Sequence, residues 1–128
     1  MEPGQLRCKE VSVGLHIAPA AASVPVFIER WASRYGHVRR GEAALVAMAC
    51  AHQRLGWIHP FMDGNGRVMR LHTHTLLSSL GYTNGLWSPL RGFARGQERY
   101  YALLADADSA RRGDLDGQGN LSELALIA

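Results

Sequence analysis

His59, Asp63, Gly64, Asn65, Gly66, Arg67 and Arg70 crowd into one short run, His59-Pro60-Phe61-Met62-Asp63-Gly64-Asn65-Gly66-Arg67, with Arg70 one helical turn further on. Two glycines around an asparagine let the backbone turn several N–H groups into one concavity, and such a concavity binds anions. The arginines add permanently charged, forked donors for phosphate oxygens. Asp63 is placed to hold Mg²⁺, which takes one or two carboxylates together with substrate phosphates and waters. His59 can accept a proton near neutral pH. Base, metal ligand, anion cradle and charge clamp together suit phosphoryl-type transfer, where catalysis is mostly positioning and charge stabilisation. The ligand these residues imply is a polyphosphate.

The elements around the run follow from its neighbours. From Gly66 to Leu80 no helix breaker occurs, and Val68, Leu71, Thr75, Leu76 and Leu80 share one helical face, so the glycine turn opens a helix whose positive end adds to the pull on phosphate. Pro60 stiffens the loop and Phe61 pins it to the core. Upstream, Glu42 to about Leu55 is apolar on nearly every side and reads as a central buried helix, while Val24 to Tyr35 is amphipathic, with Val24, Phe27, Ile28, Trp31 and Tyr35 facing inward. Glu10 to Ile17 alternates polar and apolar residues and reads as a strand that needs a hairpin partner. Downstream, Gly81 ends the motif helix, Ser88 caps a short helical segment, and Gln97 to Ala110 is helical with Tyr100, Leu103, Leu104 and Ala107 at core spacing.

The run at His59 to Arg70 resembles the signature of the Fic domain family, His-x-Phe-x-Asp/Glu-Gly-Asn-Gly-Arg-x-x-Arg, and every specified position is present as His59, Phe61, Asp63, Gly64, Asn65, Gly66, Arg67 and Arg70. The resemblance continues through Ala51, His52, Leu55, Ile58 and Pro60 upstream, and to Ser88 and Tyr100-Tyr101-x-Leu103-Leu104 downstream. It implies an all-α fold, a Fic-type helical bundle with a small β-hairpin flap near the N-terminus. It also implies a protein adenylyltransferase that moves AMP from ATP, with Mg²⁺, onto a Ser, Thr or Tyr hydroxyl of a target protein. By that resemblance His59 is the base, Asp63 the metal ligand, and Gly64, Asn65, Gly66 and Arg67 the phosphate cradle. Arg70 reaches the γ-phosphate, and Val13, Gly14, Leu15 and His16 form the flap that aligns the target. The rivals are another nucleotidyl, phosphoryl or phosphocholine transfer, and a non-catalytic nucleotide-binding module. Many relatives are restrained by a helix bearing Ser/Thr-x-x-x-Glu, and no glutamate of this chain has Ser or Thr four residues before it. The restraining element is therefore expected to be absent, to lie outside this chain, or to come from a separate antitoxin-like protein.

The remaining features bound the reading. At 128 residues and 47% hydrophobic the chain can bury one core, so one domain over 1–128 is expected. Leu121 to Ala128 starts an uncapped helical pattern, which leaves an excised domain open. The +3 charge is scattered, without zinc-finger spacing or an aromatic-interleaved basic stripe, and nothing calls for nucleic acid. No secretory leader or membrane span is visible, and Cys8 and Cys50 make no disulfide framework, which points to a cytoplasmic protein. His52 has no metal-ligand spacing and reads as a hydrogen-bonded structural histidine. Asp114 to Gly119 imitates a calcium loop, but Ala125 stands where a bidentate glutamate is needed.

Overall fold

The computed structural model describes residues 3–41, 43–83 and 89–108. Ser88, Asp114 to Gly119 and Leu121 to Ala128 lie outside them. Among the described residues five α-helices carry the fold: α1 (Val24–Tyr35), α2 (Ala44–Ile58), α3 (Asn65–Ser79), α4 (Pro89–Arg95) and α5 (Gln97–Asp108). They follow a small antiparallel hairpin of β1 (Ser12–Val13) and β2 (His16–Ile17), in register Ser12 to Ile17 and Val13 to His16. The protein is thus mostly helical with an N-terminal hairpin, as the sequence implies.

α2 is the axis of the packing. α1 lies on one side of it, α3 on another, and α5 packs against it while α4 bridges α3 and α5. The core forms where these meet, with Met48, Leu77 and Val24 fully buried. Each such side chain contributes roughly 1.5–3 kcal/mol relative to exposure. The indole N–H of Trp31 donates to the Ala51 carbonyl at 2.9 Å and fastens α1 to α2. α1 runs over the expected residues, and Val24, Phe27, Ile28, Trp31 and Tyr35 are the positions withdrawn from solvent along its length. α3 leaves through a turn at Gly81, with the Tyr82 N–H donating to the Leu77 carbonyl at 3.1 Å.

Three expectations are corrected. The alternating stretch from Glu10 to Ile17 is not one strand awaiting a partner: it folds back on itself at Gly14-Leu15 and supplies both strands. Gly14 has φ 59°, the region that mirror-type hairpin turns require and that glycine enters freely. α2 is not buried on all sides, since Leu45 and Val46 are 41% and 50% exposed, and it continues past Leu55 to Ile58. Within that last turn Gly56 leaves room for the next helix: a Cβ there would sit 2.5 Å from Met69 Cε. The inner face of α3 is not the apolar one, because Val68 and Leu71 are exposed while Asn65, Met69, Thr73 and Leu77 pack inward. That stripe is selected by what α2 offers across the interface, namely the space at Gly56 and the His52 ring that hydrogen-bonds Thr73 at 2.7 Å.

Candidate functional site

The elbow between α2 and α3 is locked from both ends. His59 closes α2 in a left-handed conformation, φ 51° and ψ 62°, and is the one non-glycine residue with positive φ among those described. Pro60 behind it is fully buried. Asn65, 4% exposed, clamps the loop by accepting from the Phe61 N–H at 2.9 Å and donating from Nδ2 to the Phe61 carbonyl at 2.7 Å. Its side chain is therefore committed to the loop, so only its backbone N–H remains to meet an anion.

α3 then opens without a side-chain cap. Gly64 at its start has φ 81°, and the first bond of the helix runs from the Val68 N–H to the Gly64 carbonyl. The N–H groups of Asn65, Gly66 and Arg67 precede that bond and have no acceptor within the helix. This is the arrangement that attracts anions, and the helix dipole reinforces it. Both arginines fold back over the glycines. A Cβ on Gly64 would lie 3.3 Å from an Arg67 guanidinium nitrogen, and one on Gly66 would lie 3.1 Å from an Arg70 nitrogen. Asp63 is exposed. One carboxylate oxygen accepts from the Gly64 N–H at 2.7 Å, and the other sits 3.6 Å from Arg67 in a solvent-screened ion pair.

His59, Gly66 and Arg70 line one cavity of about 470 Å³. Val13, Gly14, Leu15 and His16 of the hairpin close one side of it, and Tyr100, Tyr101, Leu104 and Ala105 of α5 close another. The hairpin is held in place by His16, whose Nε2 lies 2.9 Å from the Trp57 carbonyl and so must carry the proton it donates. Burial first, and then the charges of Arg7 and His16, hold the His59 imidazole below its usual range. The Gly56 carbonyl, which favours a protonated ring nitrogen, opposes this. The neutral ring keeps a lone pair on one of its two nitrogens.

The sequence singled out neither Arg7 nor the part Gly56 plays. Arg7, 3% exposed, threads its guanidinium between the two ends of the site. It donates from Nε to the His59 carbonyl at 2.7 Å, from one terminal nitrogen to Lys9 at 3.0 Å, and from the other to Ile58 at 3.2 Å and to Pro19. Its own N–H donates to the Pro60 carbonyl at 2.8 Å. Recognition of backbone carbonyls leaves no residue pattern, so nothing in the sequence marked it. His52 is the structural histidine expected, with both ring nitrogens engaged, by Thr73 at 2.7 Å and Tyr100 at 2.6 Å. Tyr100 is buried in packing, as its core spacing implies, and Tyr101 is half exposed on the cavity wall.

The Fic/DOC family model matches residues 1–77, which span the hairpin, α1, α2, the elbow and most of α3. The chain is also similar to proteins called "Protein adenylyltransferase Fic". It is 40% identical over 85 residues to the one from Drosophila erecta. Over 83 residues it is 37% identical to those from Drosophila mojavensis and Drosophila melanogaster. These matches cover 64% of this chain but only 16–17% of the length of the relatives.

Proposed function

The chain belongs to the Fic/DOC family, and from that premise we propose that it transfers AMP from ATP to a hydroxyl side chain of a protein, releasing pyrophosphate. The observation that carries this reading is the shared cavity: the imidazole of His59, the bare backbone of Gly66 and the guanidinium of Arg70 face one space. In this reading the polyphosphate lies over the uncapped start of α3, where N–H groups of Asn65, Gly66 and Arg67 and the two arginines meet its oxygens. The free imidazole nitrogen of His59 takes the proton of the incoming hydroxyl as its oxygen bonds to the α-phosphorus and the bond to the pyrophosphate oxygen breaks. Lowering of the His59 pKa keeps the ring in its basic form at neutral pH. The target chain would run beside the hairpin, where Val13 and Leu15 are exposed and strand edges offer backbone partners.

Asp63 fits a magnesium ligand in its donor set, since one exposed carboxylate with a weakly held second oxygen leaves room for phosphate oxygens and water. Mg²⁺ held there would neutralise phosphate charge as the pyrophosphate leaves.

The test is to incubate the chain with a cell lysate and Mg²⁺, using ATP labelled in parallel on the base, the α-phosphate or the γ-phosphate. Labelling of proteins from base and α-phosphate but not γ-phosphate, with an added adenylyl mass by mass spectrometry, is the expected result. Transfer from the γ-phosphate alone would make the protein a phosphoryl transferase. Nucleotide binding without any modified protein would make it a binding module.

A further inference from the structure

Four successive carbonyls at the end of α2, those of Trp57, Ile58, His59 and Pro60, are received by residues that precede α1. Arg7 serves the last three, and His16 serves Trp57. The elbow itself creates the need at Trp57. A continuing helix would bring the Phe61 N–H to that carbonyl, but this N–H donates to Asn65 Oδ1 at 2.9 Å. His16 takes its place, with Nε2 at 2.9 Å. Its ring lies 6.0 Å from the Trp57 ring, which in turn meets Phe27 of α1 edge-on at 5.6 Å. The bond therefore ends on the helical body and not on a loop.

The hairpin has little else to hold it. Its strands have two residues each, too few to keep a position by themselves. Among residues 12–17 His16 alone is withdrawn from solvent, while Leu15 and Ile17 are 103% and 81% exposed. The Ala18 N–H donates to the Val11 carbonyl at 3.2 Å, so Val11–Ala18 and Val13–His16 are the bonded pairs of the ladder. Ser12 and Ile17, between them, point their N–H and C=O groups toward the free edges, where an added strand would pair. His16 thus ties a free strand edge to a point two residues before the base.

We propose that His16 is a positioning residue: it sets the reach from a target strand on the hairpin edge to the imidazole of His59, and so lets a protein hydroxyl outcompete water for AMP. This rests on the reading that the target chain runs beside the hairpin, and it adds what makes that docking productive. Water is the standing rival in an open cavity. Its oxygen can bond to the α-phosphorus as the bond to the pyrophosphate oxygen breaks, with its proton passing to His59, which yields free AMP and pyrophosphate. A strand displaced by about 1 Å carries its hydroxyl out of line, an error that costs up to roughly 10²-fold, whereas water needs no alignment by the hairpin.

The test incubates the whole chain with Mg²⁺, lysate proteins and ATP labelled on the α-phosphate, and counts labelled protein against free labelled AMP in the same reaction, with a His59→Ala chain as the blank. His16→Phe keeps a ring beside Trp57 and removes the donor. The ratio of protein label to AMP should fall about tenfold. His16→Gln, whose amide N–H can reach a carbonyl, should hold the ratio within about threefold of wild type. His16→Ala sets no apolar ring against the carbonyl, should match the phenylalanine variant, and carries the test if that variant folds poorly. An unchanged ratio in the phenylalanine and alanine variants, an equal fall in both products, or a glutamine variant as poor as phenylalanine would each overturn the inference. A wild-type chain that labels protein at a ratio indifferent to residue 16 would sink this inference alone. One that releases AMP but labels no protein would sink the transfer reading together with it.

Discussion

Removing the Arg7 guanidinium should cost the protein about 3 kcal/mol and shift the pH dependence of its chemistry. Among the described residues Arg7 is the one buried arginine, and it serves the carbonyls of Lys9, Pro19, Ile58 and His59. Hydrogen bonds from a charged donor are worth roughly 1.5–3 kcal/mol each, so the gross loss in Arg7→Met is large. Two effects reduce it. The variant no longer buries a cation, which relieves several kcal/mol of desolvation, and the carbonyls of Lys9, on an exposed residue, and of Pro19, on a half-buried one, can return to water. What remains is two carbonyls, of Ile58 and His59, at the end of a buried helix. At about 1–3 kcal/mol per orphaned group, a net loss of about 3 kcal/mol follows. Against a typical stability of about 5–15 kcal/mol this is a large fraction, and it should move a urea midpoint by about 1–3 M.

Arg7→Lys separates charge from geometry. An ammonium cannot span four carbonyls on three segments, so the lysine variant should recover only part of the loss. The charge itself lowers the His59 pKa, hence its removal in Arg7→Met raises that pKa. A base must be unprotonated to act, so the acidic limb of the rate profile should move to higher pH in Arg7→Met and much less in Arg7→Lys. Urea melts together with transfer rates at a series of pH values check both limbs. A methionine variant within about 1 kcal/mol of wild type, or a lysine variant indistinguishable from wild type in stability, would refute the assignment of Arg7 as the clasp of the site.

His59→Ala should slow AMP transfer on the order of 10²–10⁴-fold with nucleotide affinity nearly unchanged, and equal losses in rate and affinity would contradict its role as base. His59→Gly should be equally inactive but more stable than His59→Ala by about 1 kcal/mol in thermal melts, because φ 51° strains every residue with a Cβ. Gly64→Ala and Gly66→Ala should differ in kind. The first, at φ 81°, should lose about 1 kcal/mol of stability, whereas the second gains helix propensity but displaces Arg70 and weakens ATP binding, and matching phenotypes would undo that distinction. The His52 pKa is about 4 when folded against 6.5 unfolded, so the unfolded chain takes up the proton first. Its contribution is full above pH 6.5 and fades by about 3 kcal/mol as pH falls to 4, and denaturant midpoints of His52→Gln should slope less over that window.

What the sequence revealed was what is local. The elbow could be read because each step, glycine turn, uncapped helix start and arginines one turn apart, is decided by residues within a few positions of one another. α1 was legible for a related reason, since its apolar stripe packs chiefly on one helix, α2. α3 was not, because its packed stripe includes Asn65 and Thr73, polar residues satisfied by the Phe61 backbone and by His52 from another helix. The hairpin was mistaken for one strand because alternation with period two persists through Gly14, and only a backbone angle marks the reversal. Arg7 and the Tyr100 hydrogen bond to His52 join segments tens of residues apart, and no periodicity encodes such pairings.

The departures from local rules named below gather around one cavity, on its wall or just behind it, and this argues for what the cavity does. At the left-handed end of α2 glycine would be easier than His59. At the start of α3 a serine or aspartate would satisfy N–H groups that Gly64 leaves open, for a gain of about 1 kcal/mol. At position 7 a buried apolar residue would avoid the desolvation of a cation. Scattered over a protein, such choices would be noise. Here they line up so that a proton acceptor, unpaired N–H donors and fixed positive charge meet at the cavity, each in a state that only an incoming anion and hydroxyl would complete. The packing of α1, α2 and α3 supplies the stability that lets them persist. A chain selected only to fold has no reason to gather them in one place.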